Sequence, residues 1–134
     1  MNKKQAYKQL LDYAKQASEN SYSPYSKFKV GAAVLCEGNK VFCGTNVENS
    51  SYGLSMCAER VAIFTAVANG CQKIKAVAIY SKKGDVTPCG ACRQVISEFS
   101  KNADIIYNTK QDKFLITKIS SLLPKSFSGK TLKK

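Results

Sequence analysis

The stretch Cys57-Ala58-Glu59-Arg60-Val61-Ala62-Ile63-Phe64-Thr65-Ala66-Val67-Ala68-Asn69-Gly70 reads as a helix over 57–69, with Gly70 at the usual stop position. No charge follows Arg60, and Val61, Ala62, Ile63, Phe64, Ala66, Val67 and Ala68 occupy every face. A helix that is apolar all round has to be covered all round. One sheet covers only part of it. Either a second helix of the same chain or a partner subunit covers the rest, and the partner is the more economical expectation.

Working outward, residues 74–80 form a strongly apolar strand, 82–88 a loop, 89–100 a helix and 104–107 a short strand. A last strand is expected at 113–117 and a helical turn at 119–123. Upstream, Phe28, Val30, Ala32, Val34 and Cys36 alternate with period two, Glu37-Gly38-Asn39 turns the chain, and 40–47 returns as the antiparallel partner. Residues 2–19 carry Ala6, Leu10, Ala14 and Ala17 at helical spacing, with Lys on the other faces. Asn46 to Met56 is a polar, Ser-rich loop. A hairpin followed by strands alternating with helices predicts an α/β fold: a mixed five-stranded sheet with helices on both faces, with right-handed parallel crossovers beside the hairpin. The 134 residues are expected to form one domain over 1–134, large enough to bury about two thirds of the unfolded chain's surface without disulfides.

The helix at 57 opens on Cys57 and Glu59, and the helix at 89 opens on Pro88-Cys89-Gly90-Ala91-Cys92. A catalytic zinc needs three protein ligands, an open position, and a proton carrier that is not a ligand. Cys57, Cys89 and Cys92 supply three thiolates for one Zn²⁺ per chain, and Glu59 stands beside them. The chain has no His, so metal binding and proton transfer rest on other residues. Three thiolates leave a zinc site with net negative charge, which two helix N-termini and the Arg60 guanidinium would offset. Two other readings use the same cysteines. A structural zinc needs a fourth ligand, and Cys71 lies roughly 20 Å along the helix from Cys57. A thioredoxin-type Cys-Gly-Ala-Cys would stand near the start of its fold and would leave Cys57 and Glu59 without a task.

The formal charge is +12, yet only two of the 21 basic residues are Arg, and both, Arg60 and Arg93, lie in the cysteine motifs. The 19 Lys are scattered, with pairs at both ends and at Lys82-Lys83, and no aromatic run is interleaved with Arg. Neither a nucleic-acid nor a membrane partner is expected. Met1 to Asn20 is amphipathic and lacks a signal-peptide core, which predicts a cytoplasmic protein with reduced cysteines. Cys36, Cys43 and Cys71 are read as small buried apolar residues.

The ordered motifs Tyr22-Ser23-Pro24-Tyr25-Ser26-Lys27-Phe28-Lys29-Val30-Gly31-Ala32-Ala33, Asn46-Val47-Glu48-Asn49-Ser50-Ser51-Tyr52-Gly53, the two cysteine segments, and Leu122-Leu123-Pro124-Lys125-Ser126-Phe127 resemble the small homotetrameric, three-cysteine cytidine deaminases. The cysteine pair follows the zinc deaminase pattern in its all-cysteine form. The resemblance implies zinc at Cys57, Cys89 and Cys92, with Glu59 as proton shuttle. It implies sugar contacts from Asn46 and Glu48, base contacts from Phe28 and the Ala58 backbone, and Tyr52 and Phe127 reaching the pockets of neighbouring subunits. The implied reaction is deamination of free cytidine and deoxycytidine in pyrimidine salvage. A blasticidin-type deaminase, a nucleic-acid editing deaminase and a non-catalytic zinc module remain open at this point.

Overall fold

The computed structural model describes residues 1–132, so the terminal Lys133-Lys134 pair of the basic tail lies outside the described residues. Helix α1 (Lys3–Ser18) begins at a capping box: the Asn2 side chain accepts from the Gln5 N–H, and the Gln5 side chain accepts from the Asn2 N–H. Strands β1 (Val30–Cys36) and β2 (Val41–Thr45) form the hairpin. Helix α2 (Ala58–Ala68), strand β3 (Ile74–Ser81), helix α3 (Gly90–Phe99), strands β4 (Asp104–Asn108) and β5 (Phe114–Lys118) and the short helix α4 (Ile119–Leu122) complete the order. The first strand starts two residues later than its alternation predicts, because Lys27 has a left-handed backbone and side-chain bonds from Asn46 hold the 28–30 segment.

The sheet order is β2-β1-β3-β4-β5. Strand β1 is antiparallel to both neighbours, β3 and β4 are parallel, and β5 returns antiparallel. The mixed five-stranded sheet with helices on both faces is therefore the architecture expected. Adjacent parallel pairing is confined to the β3–α3–β4 unit; the connection through α2 passes over β1.

Alternation along the strands sorts the core into two layers. Val30, Ala32, Val34, Val77, Ile79 and Ile105 face α2 and α3. Ala33, Ala76, Ala78 and Ile106 face Tyr7, Leu10, Leu11 and Ala14 of α1. Two glycines permit close approach of helix to sheet. A Cβ on Gly31 would stand 1.8 Å from the Ala14 carbonyl oxygen, and one on Gly44 would stand 2.4 Å from the Ala62 nitrogen. Across the α1 layer, the buried Asp104 carboxylate accepts from the Tyr7 hydroxyl at 2.5 Å and pairs with Lys118 at 2.7 Å and Lys3 at 3.2 Å. Burial opposes the charge on Asp104, but these three partners together outweigh it and hold the carboxyl below its ordinary range.

Two sequence expectations are corrected. Cys36 and Cys71 are joined in a disulfide across 35 positions, so they are neither separate nor reduced. The reason is tertiary: the passage through β2 and α2 returns the chain after Gly70 to the end of β1. Cys43 is exposed, not buried. Helix α2 itself is covered in part. Ala58, Ala62, Ile63 and Ala66 are buried, whereas Phe64 is 46% exposed and Ala68 faces outward. Neither the sheet nor α3 covers that outer face.

Candidate active site

Two helix starts build the site. Cys57 is the N-cap of α2 and Cys89 the N-cap of α3, both in extended backbone conformation. The Cys89 sulfur accepts from the Cys92 N–H at 3.5 Å. Arg93 locks the start of α3: its Nε donates to the Pro88 carbonyl at 2.7 Å and its Nη1 to the Leu122 carbonyl at 2.9 Å. The sequence placed Arg93 in the motif but assigned it no task.

The sulfurs of Cys57, Cys89 and Cys92 all lie within 4.8 Å of one another, and those of Cys57 and Cys89 are 3.8 Å apart. A tetrahedral zinc with Zn–S near 2.3 Å puts its sulfurs ~3.8 Å apart, so this donor set fits the ion. Arg60 Nη2 donates to the Cys57 sulfur at 3.5 Å, the position in which a guanidinium offsets thiolate charge. Among the protein groups, the hydrogen bond with Cys92 and then the contact with Arg60 lower the Cys57 thiol, outweighing burial. Cys92, as the hydrogen-bonding partner of that thiolate and a buried group, is raised.

Glu59 follows on the first turn of α2 and is only 4% exposed. Burial is the main cause that pushes its carboxyl up to about 7, with the Cys57 charge adding to it and the bond from its own backbone N–H opposing it. That is the range in which a carboxyl both takes and gives protons near neutrality.

The carboxyl opens on a cavity of about 250 Å³. Phe28, Asn46, Glu48, Cys57, Ala58 and Cys89 line it, together with Val30, Ser55, Met56, Val86 and Thr87, to which the sequence assigned no part in the site. Lys83 was also missed; its ammonium stands 5.1 Å from the centre of the Phe28 ring. These residues enter by packing and carry no local signal.

The structure gives Asn46 and Glu48 structural partners of their own. Asn46 Nδ2 donates to the Phe28 carbonyl at 2.7 Å, and its Oδ1 accepts from Val30 N–H at 3.0 Å and Ser21 Oγ at 2.6 Å. Three of its four hydrogen-bonding positions thus hold the strand entrance and leave one N–H free. The Glu48 carboxylate accepts from the Tyr25 and Ser26 N–H groups and the Ser26 hydroxyl, which hold its pKa below the ordinary value. Tyr52 and Phe127 do not line this chain's cavity. They are 76% and 61% exposed; Tyr52 stacks edge-on against Tyr25, and the Phe127 carbonyl accepts from Gln94.

Three thiolates at two helix starts, beside a buried carboxyl that titrates near neutrality at the floor of a small cavity, define a zinc-dependent hydrolase. Residues 4–109 match the family model of the cytidine and deoxycytidylate deaminase zinc-binding region. The chain is 46% identical over 126 residues to the cytidine deaminase of Sporosarcina psychrophila, covering 92% of each protein. It is 44% identical over 126 residues to that of Halalkalibacterium halodurans, covering 92% of this chain and 95% of the relative. The crystal structure of the Burkholderia pseudomallei cytidine deaminase superposes with a TM-score of 0.86 at 42% identity, covering 95% of this chain and all of that one. This chain belongs to the cytidine and deoxycytidylate deaminase family.

Proposed function

We propose that this protein hydrolytically deaminates free cytidine and deoxycytidine to uridine and deoxyuridine, releasing ammonia, as a step of pyrimidine salvage. The observation that carries the reading is Glu59, buried on the first turn after Cys57 and lining the same cavity as Cys57 and Cys89. Cys57, Cys89 and Cys92 hold zinc, which when bound supplies a Lewis acid that brings the pKa of water toward neutrality.

The chain's own groups do the rest. Glu59 takes the proton of the attacking water, passes it to ring N3, and returns a later proton to the departing amine. A carboxyl poised near 7 serves in both directions. Phe28 and the Ala58 backbone hold the base. The free N–H of Asn46 and the remaining lone pair of Glu48 face the sugar, while their other bonds fix the wall that carries Phe28. Arg60 keeps the Cys57 sulfur ionised.

Assembly completes the site in this reading. The outer face of α2, with Phe64 and Ala68, packs on sister chains in a homotetramer, and Tyr52 and Phe127, turned away from their own cavity, close the neighbours' cavities. No helix among the described residues is long and apolar enough to cross a membrane. We place the protein in the cytoplasm, where reducing conditions act against the Cys36–Cys71 bridge. Ultraviolet monitoring of purified protein with cytidine and deoxycytidine, beside a zinc assay and sedimentation, tests this function. The expectation is turnover of both, one zinc per chain and a four-chain species. Turnover confined to single-stranded nucleic acid would overturn it.

A further inference from the structure

A second cavity, also of about 250 Å³, lies between the end of α3, α4 and the tail that follows, and shares no lining residue with the catalytic cavity. Its chemistry is one-sided. Lys101, Lys125 and Lys130 are among its lining residues, and no Asp or Glu is. None of the three lysines takes part in an ion pair among the described residues. Ser97 donates its hydroxyl to the Gln94 carbonyl, but the hydroxyls of Ser120, Ser126 and Ser128 donate to no described residue. The floor is apolar, made by Ile119 and Leu123.

Like charges gathered around one recess repel unless an anion stands between them. The neighbouring Lys130 side chain lowers the pKa of Lys101 below its ordinary value. Elsewhere on this surface lysines find a carboxylate, as Lys73 does with Glu37, or an aromatic ring, as Lys83 does with Phe28. Three positive point charges and three free hydroxyl donors, arriving from the segment after α3, from α4 and from the tail, suit a tetrahedral group with several oxygens better than the two coplanar oxygens of a carboxylate.

We propose that this cavity is a binding site for a phosphate group, either inorganic phosphate or the phosphate of a nucleotide, separate from the catalytic site. Its occupant would tie α3 and α4 to the 125–130 segment, which carries Phe127 and is otherwise held to α3 through the bond from Gln94 to the Phe127 carbonyl. Binding does not depend on the role given to Phe127.

The test is isothermal titration of the zinc-loaded, full-length protein at about 150 mM salt, where long-range surface attraction is screened. The titrants are inorganic phosphate, ATP, and acetate at matched ionic strength. ATP is used because a purine nucleotide does not report on a cytidine-sized catalytic cavity. Saturable binding of phosphate or ATP is expected, weakened at least about tenfold in Lys101→Gln/Lys130→Gln. It should be unchanged in Lys40→Gln/Lys75→Gln, which removes the same charge from exposed positions outside the cavity. Tighter binding of ATP would identify the nucleotide as the source, and equal binding would identify free phosphate. No saturable binding, equal binding of acetate, or equal weakening by the two double variants would overturn the proposal. Loss of cytidine turnover with phosphate binding intact would instead count against the function proposed above.

Discussion

Gly44→Ala tests whether close approach of sheet and helix sets the catalytic geometry. The added Cβ would stand 2.4 Å from the Ala62 nitrogen and 2.8 Å from the Ala58 carbonyl oxygen, against about 3.4 Å for ordinary contact. Both neighbours are backbone atoms of α2, so no side chain can swing aside. Relief requires α2 to move away from β2 by about 1 Å, and the displaced turn carries Cys57 and Glu59. Overpacking of this kind costs roughly 1–3 kcal/mol. With an unfolding entropy of ~2.1 cal/mol/K per residue, that is a fall in Tm of about 4–11 °C for a chain of this length. A 1 Å displacement of catalytic groups costs on the order of 10²-fold in kcat. Calorimetry, zinc content and kcat on cytidine would be measured beside Gly90→Ala, where an added Cβ meets nothing within 4 Å. The reasoning fails if Gly44→Ala keeps wild-type Tm and kcat, or if Gly90→Ala loses as much as Gly44→Ala.

Glu59→Gln should retain zinc and fold while losing about 10²–10⁴ in rate, whereas Cys89→Ala should lose zinc first; zinc release from Glu59→Gln would refute its assignment as a non-ligand. Because Asp104 has a depressed folded pKa, its contribution is present above the unfolded value near 4 and is lost as pH falls through the folded value. Asp104→Asn should therefore be less stable than wild type by about 1–2 kcal/mol near neutrality, and thermal melts should show the gap closing in acid. Non-reduced, metal-free, denatured protein should titrate four thiols per chain, those of Cys43, Cys57, Cys89 and Cys92. Cys71→Ser should cost up to about 4 kcal/mol by loop entropy while preserving turnover, and six thiols in the titration would show that the bridge is absent. Phe127→Ala should raise KM for cytidine by roughly 5- to 150-fold with little change in Tm, since a lost aromatic wall is worth about 1–3 kcal/mol; unchanged kinetics would remove Phe127 from the site.

The elements that could be read in advance are those governed by short-range rules. Period-two alternation in β1, the apolar run of β3 and the stop at Gly70 depend on residues within one or two turns of each other, so their positions were legible to within a few residues. The zinc ligands were legible for the same reason. Cys89 and Cys92 share the start of one helix, Cys57 caps another, and Glu59 lies on the first turn of that second helix, so these groups are compressed into two short segments.

The order of strands, and hence which segments meet, was decided only by the tertiary structure. A glycine's neighbours cannot be read from its own segment, so the contacts of Gly31 with α1 and Gly44 with α2 appear only once the layers are stacked. The Cys36–Cys71 bridge closes across 35 positions for the same reason, against the sequence expectation of reduced cysteines. The family resemblance implied sugar contacts for Asn46 and Glu48, but folding surrounds them with backbone groups of the 25–30 segment that need partners, and they satisfy those first. By itself the sequence determined the elements and the two short segments that bring three cysteines and Glu59 together, because propensity, periodicity and capping act locally. Only the folded structure decided the cavity walls, the disulfide and the second cationic cavity, because packing brings together side chains that share no sequence neighbourhood.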